Sequence, residues 1–398
     1  MSQLPLSGRT VIEIASFVAG PSAGMTLAQL GADVIRVDPL GGAADVNRWP
    51  ITADGTSIYW TSLNRGKRSV ELDLRSETGR DLVRRMLTKP GPGHGILIDN
   101  QPGQDWMSWE ALSAIRLDLI HVHIEGHRGG RPAVDYTVNA EVGIPLVTGP
   151  EGMTDPVNHV LPAWDLLCGM TAVSSVLAAL LRRDQTGQGS RIDIALGDVA
   201  LASVANLGWL TEAAAGVERS RNGNSIYGSY GDSFATADGG HVVVVALTPA
   251  QWRSLTSMTE TVEATAALAK THGVDFEHDE AARYEHRRAL AEILGPWFAI
   301  RDRAAVEAEL TAARVLSAPY RDFREAAARG GGPLAELDQP GIGPVISSES
   351  PMRWHDQSLR NVAATSRGIN TEAVLRELAG VTEVEYASLI ADGFVTAR

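Results

Sequence analysis

The chain has 398 residues, 44% hydrophobic and 21% charged, which is enough to bury large cores and predicts more than one domain. The 35 Lys and Arg residues stand against 48 Asp and Glu residues, a net charge of −13, which argues against non-specific binding to nucleic acid or to an anionic membrane. The single cysteine, Cys168, excludes an intrachain disulfide and a cysteine-cluster metal site. With no signal peptide and no apolar run near the ~20 residues of a membrane span, we expect a cytoplasmic protein.

The first half of the chain alternates short β-branched runs with helical segments. This alternation implies crossover connections and a mostly parallel α/β sheet of the nucleotide-binding type. A helix over 161–183 is apolar on most faces, so we expect it to lie deep in this domain. The strand candidates are 10–15, 33–37, 69–73, 95–99, 119–124 and 190–195.

The second half has a different pattern. An Ala/Leu-rich segment at 196–215 leads into a loop-rich stretch, and 234–246 has the pattern of a hairpin turned at Asp238-Gly239-Gly240. Helical segments follow, and together they predict a smaller α+β domain. We place the large domain at 1–205, a linker at 206–225, the small domain at 226–330 and a C-terminal segment at 331–398.

Residues Gly20 to Gly24 match the G-x-S-x-G pattern of a hydrolase nucleophile elbow, with Ser22 as the nucleophile. The pattern follows the first strand, however, whereas a hydrolase elbow follows several. The alternative is a tight strand-to-helix turn, whose helix N-terminus can hold a phosphate or a carbonyl group. We favour the turn.

Two further clusters allow more than one interpretation. The run Asn64 to Ser69, with Arg75, is cationic and is either a solvated turn or a site for a ligand carrying several phosphates. His121, His123 and Glu125 alternate along one strand and share a face. His127 follows in the same alternation, which ends in a Gly-rich loop, and no obvious fourth acidic or histidine ligand lies nearby in the sequence. We therefore expect a strand edge that enters a binding loop and no metal site.

Asp165 is the most informative single residue, because it lies in the first turn of an otherwise apolar helix. It either complements the helix dipole or is a desolvated nucleophile that the helix N-terminus holds ionised. Cys168, one turn further on, is expected to be a buried apolar residue rather than a nucleophile.

In combination these segments resemble the class III CoA-transferase family, which includes formyl-CoA and carnitine-CoA transferases and α-methylacyl-CoA racemases. The resemblance spans nearly the whole chain in order. Within this family, the chain most resembles members that move CoA between the two carboxyl groups of one dicarboxylic acid. The segments that carry this likeness are 25–31, 38–42, 48–50, 134–139 and 158–165. The residues that carry the family resemblance are Ala19-Gly-Pro21, Leu30 to Arg36, Asn64 to Ser69, Leu72-Asp-Leu74, Thr186 to Gly189, Asp198, Asp238-Gly239 and Ala318-Pro319.

The resemblance implies a Rossmann-like large domain, a small domain, a C-terminal segment that returns to the large domain, and two chains interlocked as a homodimer. One departure from the family pattern matters: Pro39 follows the strand-end Asp38, where many relatives have an arginine that contacts the adenosine end of CoA. Phosphate contacts must then come from Arg36, Arg48 or Arg75. The implied CoA-binding residues are Val18, Ala19, Arg36, Leu72, Asp73, Leu74, Arg75, Asn100 and Asp135.

The resemblance also places Asp165 at the position of the family's catalytic aspartate. It implies that CoA moves between carboxylates through an aspartyl anhydride and an aspartyl-CoA thioester, with CoA entering as part of the substrate and no tightly bound cofactor. The alternatives within the family are an intermolecular acyl-CoA:carboxylate transferase and a racemase. The racemases have a histidine immediately before the loop aspartate, where this chain has Val134 before Asp135. Outside enzymes, a non-catalytic CoA-binding protein remains open.

Overall fold

The computed structural model describes residues 4–101, 103 and 105–396. It divides into two compact units. The first unit comprises Met1–Val142, Val160–Thr211 and Gly330–Arg398, and the second comprises Gly143–His159 and Glu212–Arg329.

The elements follow in chain order. To the end of the sheet of the first unit they are β1 (Thr10–Ile14), α1 (Ala19–Gln29), β2 (Asp33–Pro39), α2 (Ile58–Leu63), β3 (Arg68–Leu72), α3 (Glu77–Thr88), β4 (Ile96–Asp99), a 3₁₀ turn (Asp105–Met107), α4 (Trp109–Ser113), β5 (Ile120–Glu125), α5 (Asp135–Glu141), α6 (Ile144–Val147), α7 (Ala163–Thr186) and β6 (Ser190–Ala195). The rest are α8 (Leu196–Asn206), α9 (Trp209–Ala214), β7 (Tyr230–Ala235), β8 (His241–Ala246), α10 (Pro249–Met258), α11 (Val262–His272), α12 (Glu280–Glu285), α13 (Arg287–Ala299), α14 (Arg303–Ala312), β9 (Leu316–Pro319), α15 (Phe323–Arg329), β10 (Leu334–Gln339), β11 (Gly343–Ser348), α16 (Thr371–Ala379) and α17 (Glu383–Ala391).

The main sheet of the first unit has six parallel strands in the order β3-β2-β1-β4-β5-β6. Strands such as β1 are buried along their whole length, because helices cover both faces of a parallel sheet. The predicted parallel α/β sheet is therefore confirmed. The strand order reverses between β1 and β4, and a crevice at the carboxyl ends of the strands is expected at such a point.

Helix α7 packs against α1 in this unit. Gly169 allows the close approach, because a Cβ atom there would lie 2.2 Å from the Ser22 Oγ and 2.9 Å from the Ala19 carbonyl oxygen. The first turn of α7, with Asp165, is thereby held beside the start of α1.

The other side of α7 is not buried, which corrects the expectation that this helix lies deep in the domain. The helix is half core and half surface, and its apolar composition on both sides could not distinguish the two. By length and hydropathy alone, α7 would also suffice to cross a membrane, contrary to our expectation that no segment would. Its exposed apolar residues are Leu166, Leu167, Met170, Leu177 and Leu181.

The C-terminal segment is part of the first unit, in which α16 packs on α3 and β3. The Asn370 Oδ1 atom accepts a hydrogen bond from the backbone N–H of Ser69 at 2.9 Å, and the Phe394 carbonyl accepts one from the N–H of Asp73 at 2.9 Å. These bonds support the strand β3 and the loop that follows it.

The second unit has its own antiparallel sheet, β7-β8-β9, and its own core, in which the Phe234 and Phe298 rings stack 4.2 Å apart. Residues 143–159, which we had placed in the large domain, belong to this unit. The reason is a set of contacts distant in sequence: Arg287 pairs with Glu151 at 2.6 Å, and Arg221 donates to the backbone carbonyls of Thr148 and Asp155.

Candidate active site

The turn between β1 and α1 is fixed from two directions. Asn100, which follows β4, accepts a hydrogen bond from the Ser16 N–H at 3.2 Å and donates to the Ser16 carbonyl at 3.0 Å. The Asp45 carboxylate accepts the N–H of Phe17 at 2.9 Å, and Phe17 has a positive φ of 69°. Asn100, predicted to contact CoA, thus positions the turn that leads to Val18 and Ala19, both of which are buried.

A buried cluster of charges lies behind this turn. The Arg36 guanidinium is bound by Asp38 at 2.9 Å and by Asp45 at 3.0 Å, and its side chain is 1% exposed. The prediction that Arg36 contacts a CoA phosphate is therefore wrong, because its guanidinium is enclosed and saturated by carboxylates. Lys67 is likewise buried against Glu13 at 2.8 Å, and burial lowers its pKa to about 8.

The predicted phosphate site at residues 64–69 is not supported either. Arg65 donates to the Ser348 carbonyl and to Asn361, and Arg68 pairs with Asp33. These side chains hold the C-terminal segment and the sheet together, so the cluster is structural.

A cleft of about 720 Å³ lies at the carboxyl ends of the central strands. Of the residues predicted to bind CoA, Leu74 and Arg75 line it, whereas the Leu72 side chain is fully buried beneath it. Asp73 accepts the N–H of Arg75 at 3.1 Å and so shapes the loop. Arg80, which the sequence analysis missed, lines the cleft from the first turn of α3, four residues after the Ser76 cap. Among the residues that the structure describes, the cleft is also lined by Pro39, Gln101 and Trp106, and its arginines are Arg75 and Arg80.

The N-terminus of α7 is capped by a carboxylate from another helix. Asp135, at the start of α5, accepts the backbone N–H groups of Trp164 at 2.7 Å and of Asp165 at 3.1 Å. Asn139, one turn later on α5, accepts the Trp164 indole N–H at 3.1 Å. We had predicted that Asp135 contacts CoA. Asp135 is buried, however, and in this structure it fixes the first turn of α7.

The Asp165 carboxyl is consequently in an unfavourable place for a negative charge. Its pKa is raised from 3.8 to about 7, mainly by burial and then by the neighbouring charge of Asp135, whereas Arg48 acts in the opposite direction. The backbone N–H groups of the helix N-terminus, which one interpretation of the sequence used to hold Asp165 ionised, are taken by Asp135. The Arg48 guanidinium lies over the rings of Phe17 at 5.5 Å and Tyr59 at 5.2 Å, on the exposed side of the site.

The competing nucleophiles fit less well. Ser22 lies inside α1, one turn after its start, and donates its hydroxyl hydrogen to the Ala19 carbonyl at 3.0 Å. A hydrolase elbow instead presents its serine at the exposed turn. Cys168 is fully buried, and burial raises its thiol pKa to about 12, so the thiolate form is suppressed.

Comparison with known proteins agrees with this architecture. A 2-methylfumaryl-CoA isomerase from Chloroflexus aurantiacus is 42% identical, covering 98% of this chain and 97% of that protein. A succinyl-CoA:mesaconate CoA-transferase from Haloarcula hispanica is 28% identical over 86% of this chain and 88% of that protein. Among solved structures, a CAIB/BAIF family protein from Brucella suis superposes with a TM-score of 0.78 at 28% identity, covering 95% of this chain and all of that one.

The sequence model of one family, described as CoA-transferase family III, matches residues 6–365. The match spans most of the chain and includes the sheet, the cleft and Asp165. The alignment with the isomerase, at 42% identity, likewise spans 98% of the chain. This chain therefore belongs to CoA-transferase family III and is an enzyme of that family.

Proposed function

We propose that this enzyme moves CoA from one carboxyl group of a 2-methylfumaryl (mesaconyl) unit to the other, with Asp165 as the covalent nucleophile. The observation that carries the proposal is the Asp165 carboxyl, which lies in the first turn of α7 and has a pKa near 7. A carboxylate that burial makes more basic is a stronger nucleophile than a solvated one, and with a pKa near 7 about half of it is ionised at pH 7. The activity named for the 42% identical relative supports the choice of substrate.

The reaction proceeds in four balanced steps. The Asp165 carboxylate attacks the thioester carbonyl, the C–S bond breaks, and a mixed anhydride and CoA thiolate form. The thiolate attacks the aspartyl carbonyl, which gives an aspartyl-CoA thioester and releases the substrate as a dicarboxylate. The second carboxylate then attacks the aspartyl thioester and forms a new anhydride and thiolate. The thiolate finally attacks the substrate carbonyl, which completes the new thioester and regenerates the Asp165 carboxylate.

Arg48 is suited to the free carboxylate of such a substrate. Its guanidinium is exposed, is held over two aromatic rings, and is close enough to Asp165 to lower the pKa of that carboxyl. A substrate that carries a second carboxylate needs a cation near the nucleophile, because two negative charges would otherwise meet there. Arg48 would hold the free end of the dicarboxylate between the two half-reactions.

Trapping the acyl-enzyme tests the nucleophile. Incubation with mesaconyl-CoA followed by borohydride or hydroxylamine should modify the peptide that contains Asp165, and Asp165→Asn should lose essentially all turnover while still binding CoA. The matched control is Asp198→Asn, another first-turn acid, on α8, which should retain turnover. Modification of Ser22 or Cys168 instead would overturn the assignment.

Isotopes separate this reaction from its relatives. With unlabelled mesaconyl-C1-CoA and excess ¹³C-labelled free mesaconate, intramolecular transfer gives unlabelled C4 ester, whereas intermolecular transfer gives labelled ester. In D₂O, a racemase would add deuterium at the α-carbon of a 2-methylacyl-CoA. We expect negligible deuterium, because Val134, which precedes Asp135, cannot carry a proton. Rapid α-deuteration without CoA migration would identify the racemase reaction instead.

The exposed side of α7 supports a homodimer. Its apolar residues recur at helical spacing, and α8 continues the apolar surface with Leu201 and, just after its end, Leu207. A contiguous apolar surface of this kind is characteristic of an interface. A second copy of the chain is the occupant that we propose, with residues 196–225 as the crossing elements.

A further inference from the structure

A second cluster of polar side chains lies on the main sheet, outside the candidate active site. Asp99 ends β4, and His121 and His123 project from the same face of β5 because they are two residues apart. The strand register places Asp99 directly beside His123, and places Arg191 and Asp193 of β6 beside His121 and His123. The sheet thus brings an acidic side chain, Asp99, to the two histidines from a strand that is distant in sequence.

The three side chains converge closely. The Asp99 Oδ2 lies 2.5 Å from the His121 Nε2, and the Asp99 Oδ1 lies 2.8 Å from the His123 Nδ1. One potential ligand atom from each residue lies within 4.8 Å of the other two. Asp99 and His121 are buried with side chains 2% exposed, whereas the His123 side chain is 17% exposed. The cluster therefore has two buried members, and it is accessible to solvent at His123.

We propose that Asp99, His121 and His123 form a binding site for one divalent transition-metal ion, such as Zn²⁺. Two imidazoles and one carboxylate are a common protein ligand set for such ions, with the remaining positions left to water. Mg²⁺ and Ca²⁺ prefer oxygen ligands throughout and fit the two histidines poorly. Glu125, which the sequence analysis grouped with these histidines, accepts the Gly130 N–H at 2.9 Å and belongs to the following loop.

The charge of the surroundings favours a cation. The cluster opens into a cleft of about 790 Å³, and the described residues that line it include four carboxylates and one guanidinium. An anion would meet the Asp99 carboxylate between the two rings, which makes an anion site unfavourable. The lining carboxylates are Asp99, Asp105, Glu110 and Asp193.

Arg191 competes with the metal for His121. Its guanidinium lies 2.7 Å from the His121 Nδ1 and 3.0 Å from the His121 Nε2, and it pairs with Asp193 at 2.6 Å. A neutral imidazole that binds metal through Nε2 carries its proton on Nδ1, so Arg191 must move away from both ring nitrogens and retain Asp193. This gives the site a signature that a purely structural Asp–His pair lacks: removal of Arg191 should strengthen metal binding.

The experiment is calorimetric titration of Zn²⁺ into tag-free, EDTA-stripped full-length protein. We expect one ion per chain, at least tenfold weaker binding for His123→Gln, and tighter binding for Arg191→Gln. The control is His278→Gln, because His278 forms an exposed pair with Asp275 at 2.9 Å in the second unit and should not contribute. Circular dichroism of each variant verifies that it has folded.

X-ray absorption of the Zn²⁺-loaded wild-type protein needs no variant. The spectrum should show imidazole nitrogen and carboxylate oxygen at about 2.0–2.1 Å from the zinc, with the outer scattering of two imidazole rings. The absence of stoichiometric binding, unchanged affinity in folded His123→Gln, or loss of affinity in His278→Gln would each overturn the proposal. The Zn²⁺ titration does not depend on transferase activity, so a failure of the proposed function would leave the expected Zn²⁺ binding unchanged.

Discussion

Replacing Asp165 by asparagine should stabilise the protein while abolishing turnover. The carboxyl pKa rises from 3.8 to about 7 on folding, mainly through burial and then through Asp135. At about 1.36 kcal/mol per unit, the ionised group destabilises the folded state by up to about 4 kcal/mol at pH 8. Asp165→Asn keeps the shape of the side chain and removes this charge.

The sign of the pH dependence follows from the raised pKa. Below about pH 4 the carboxyl is protonated in both the folded and unfolded states, so the variant gains nothing from the lost charge. Between about pH 4 and pH 7 the unfolded state loses its proton first. The stability advantage of Asp165→Asn over the wild type therefore increases with pH and is about 2 kcal/mol at pH 5. Above about pH 7 both states are ionised and the gain is constant.

Urea denaturation of wild-type and Asp165→Asn protein between pH 4 and pH 9 measures this difference. Asp198→Asn is the matched control, because Asp198 is a first-turn acid that pairs with Arg128 on the surface and should give no gain. The result also distinguishes the two interpretations of Asp165 from the sequence, which are a carboxylate that complements the helix dipole and a desolvated nucleophile. If the carboxylate merely complemented the helix dipole, its removal would destabilise the protein at pH 8. That outcome, or a stability difference independent of pH, would show that burial does not destabilise the Asp165 carboxylate.

Two further predictions concern the cleft and the assembly. Arg75→Gln should raise the KM for CoA esters about tenfold with little change in kcat, because exposed Arg75 lines the cleft at the carboxyl ends of the strands, whereas Arg84→Gln, whose side chain pairs with Glu77, should not. A KM that responds equally to both would show general loss of charge. Analytical ultracentrifugation should find no folded monomer on dilution, since α7 exposes apolar side chains as large as Leu181 at 61%. A folded, active monomer would contradict the dimer.

The features that the sequence predicted correctly are those with a local signal. The six strands follow from β-branched runs between helical segments, and Asp165 lies in the first turn of a helix, as predicted. Arg36 was misassigned because folding encloses it: Asp38 lies two residues away on the same strand, but Asp45 comes from the loop after that strand and Glu13 from the neighbouring strand. No pattern in the sequence distinguishes such a buried cation from a free one.

The same limit applies to α7 and to the metal cluster. The apolar residues that pack on α1 and those that face outward have similar hydropathy, so periodicity could not separate core from interface. Asp99 lies more than twenty residues before His121 in the sequence, and only the pairing of β4 with β5 reveals it as a partner.

Asp135 links the fold to the chemistry, and its replacement is the most informative test of that link. It occupies the N–H groups at the start of α7 and adds its own charge beside Asp165, so the carboxylate that would be stabilised by a helix N-terminus is instead destabilised. In the proposed mechanism, acylation of Asp165 yields a neutral anhydride or thioester and removes this unfavourable charge, which would favour the covalent states by up to about 4 kcal/mol over a solvated aspartate.

Asp135→Asn should therefore lower the pKa of Asp165 and reduce the covalent population. The asparagine oxygen can still accept an N–H from the first turn of α7, so the helix start is retained while the charge is lost. We expect the acidic midpoint of the kcat–pH profile to move to lower pH, and mass spectrometry of rapidly quenched enzyme to detect less aspartyl-CoA adduct at pH 8. Asn139→Asp, which adds a charge one turn further along α5, should move the midpoint the other way. If both variants leave the midpoint and the adduct unchanged, the Asp135 charge does not control the nucleophile, and burial alone sets its reactivity.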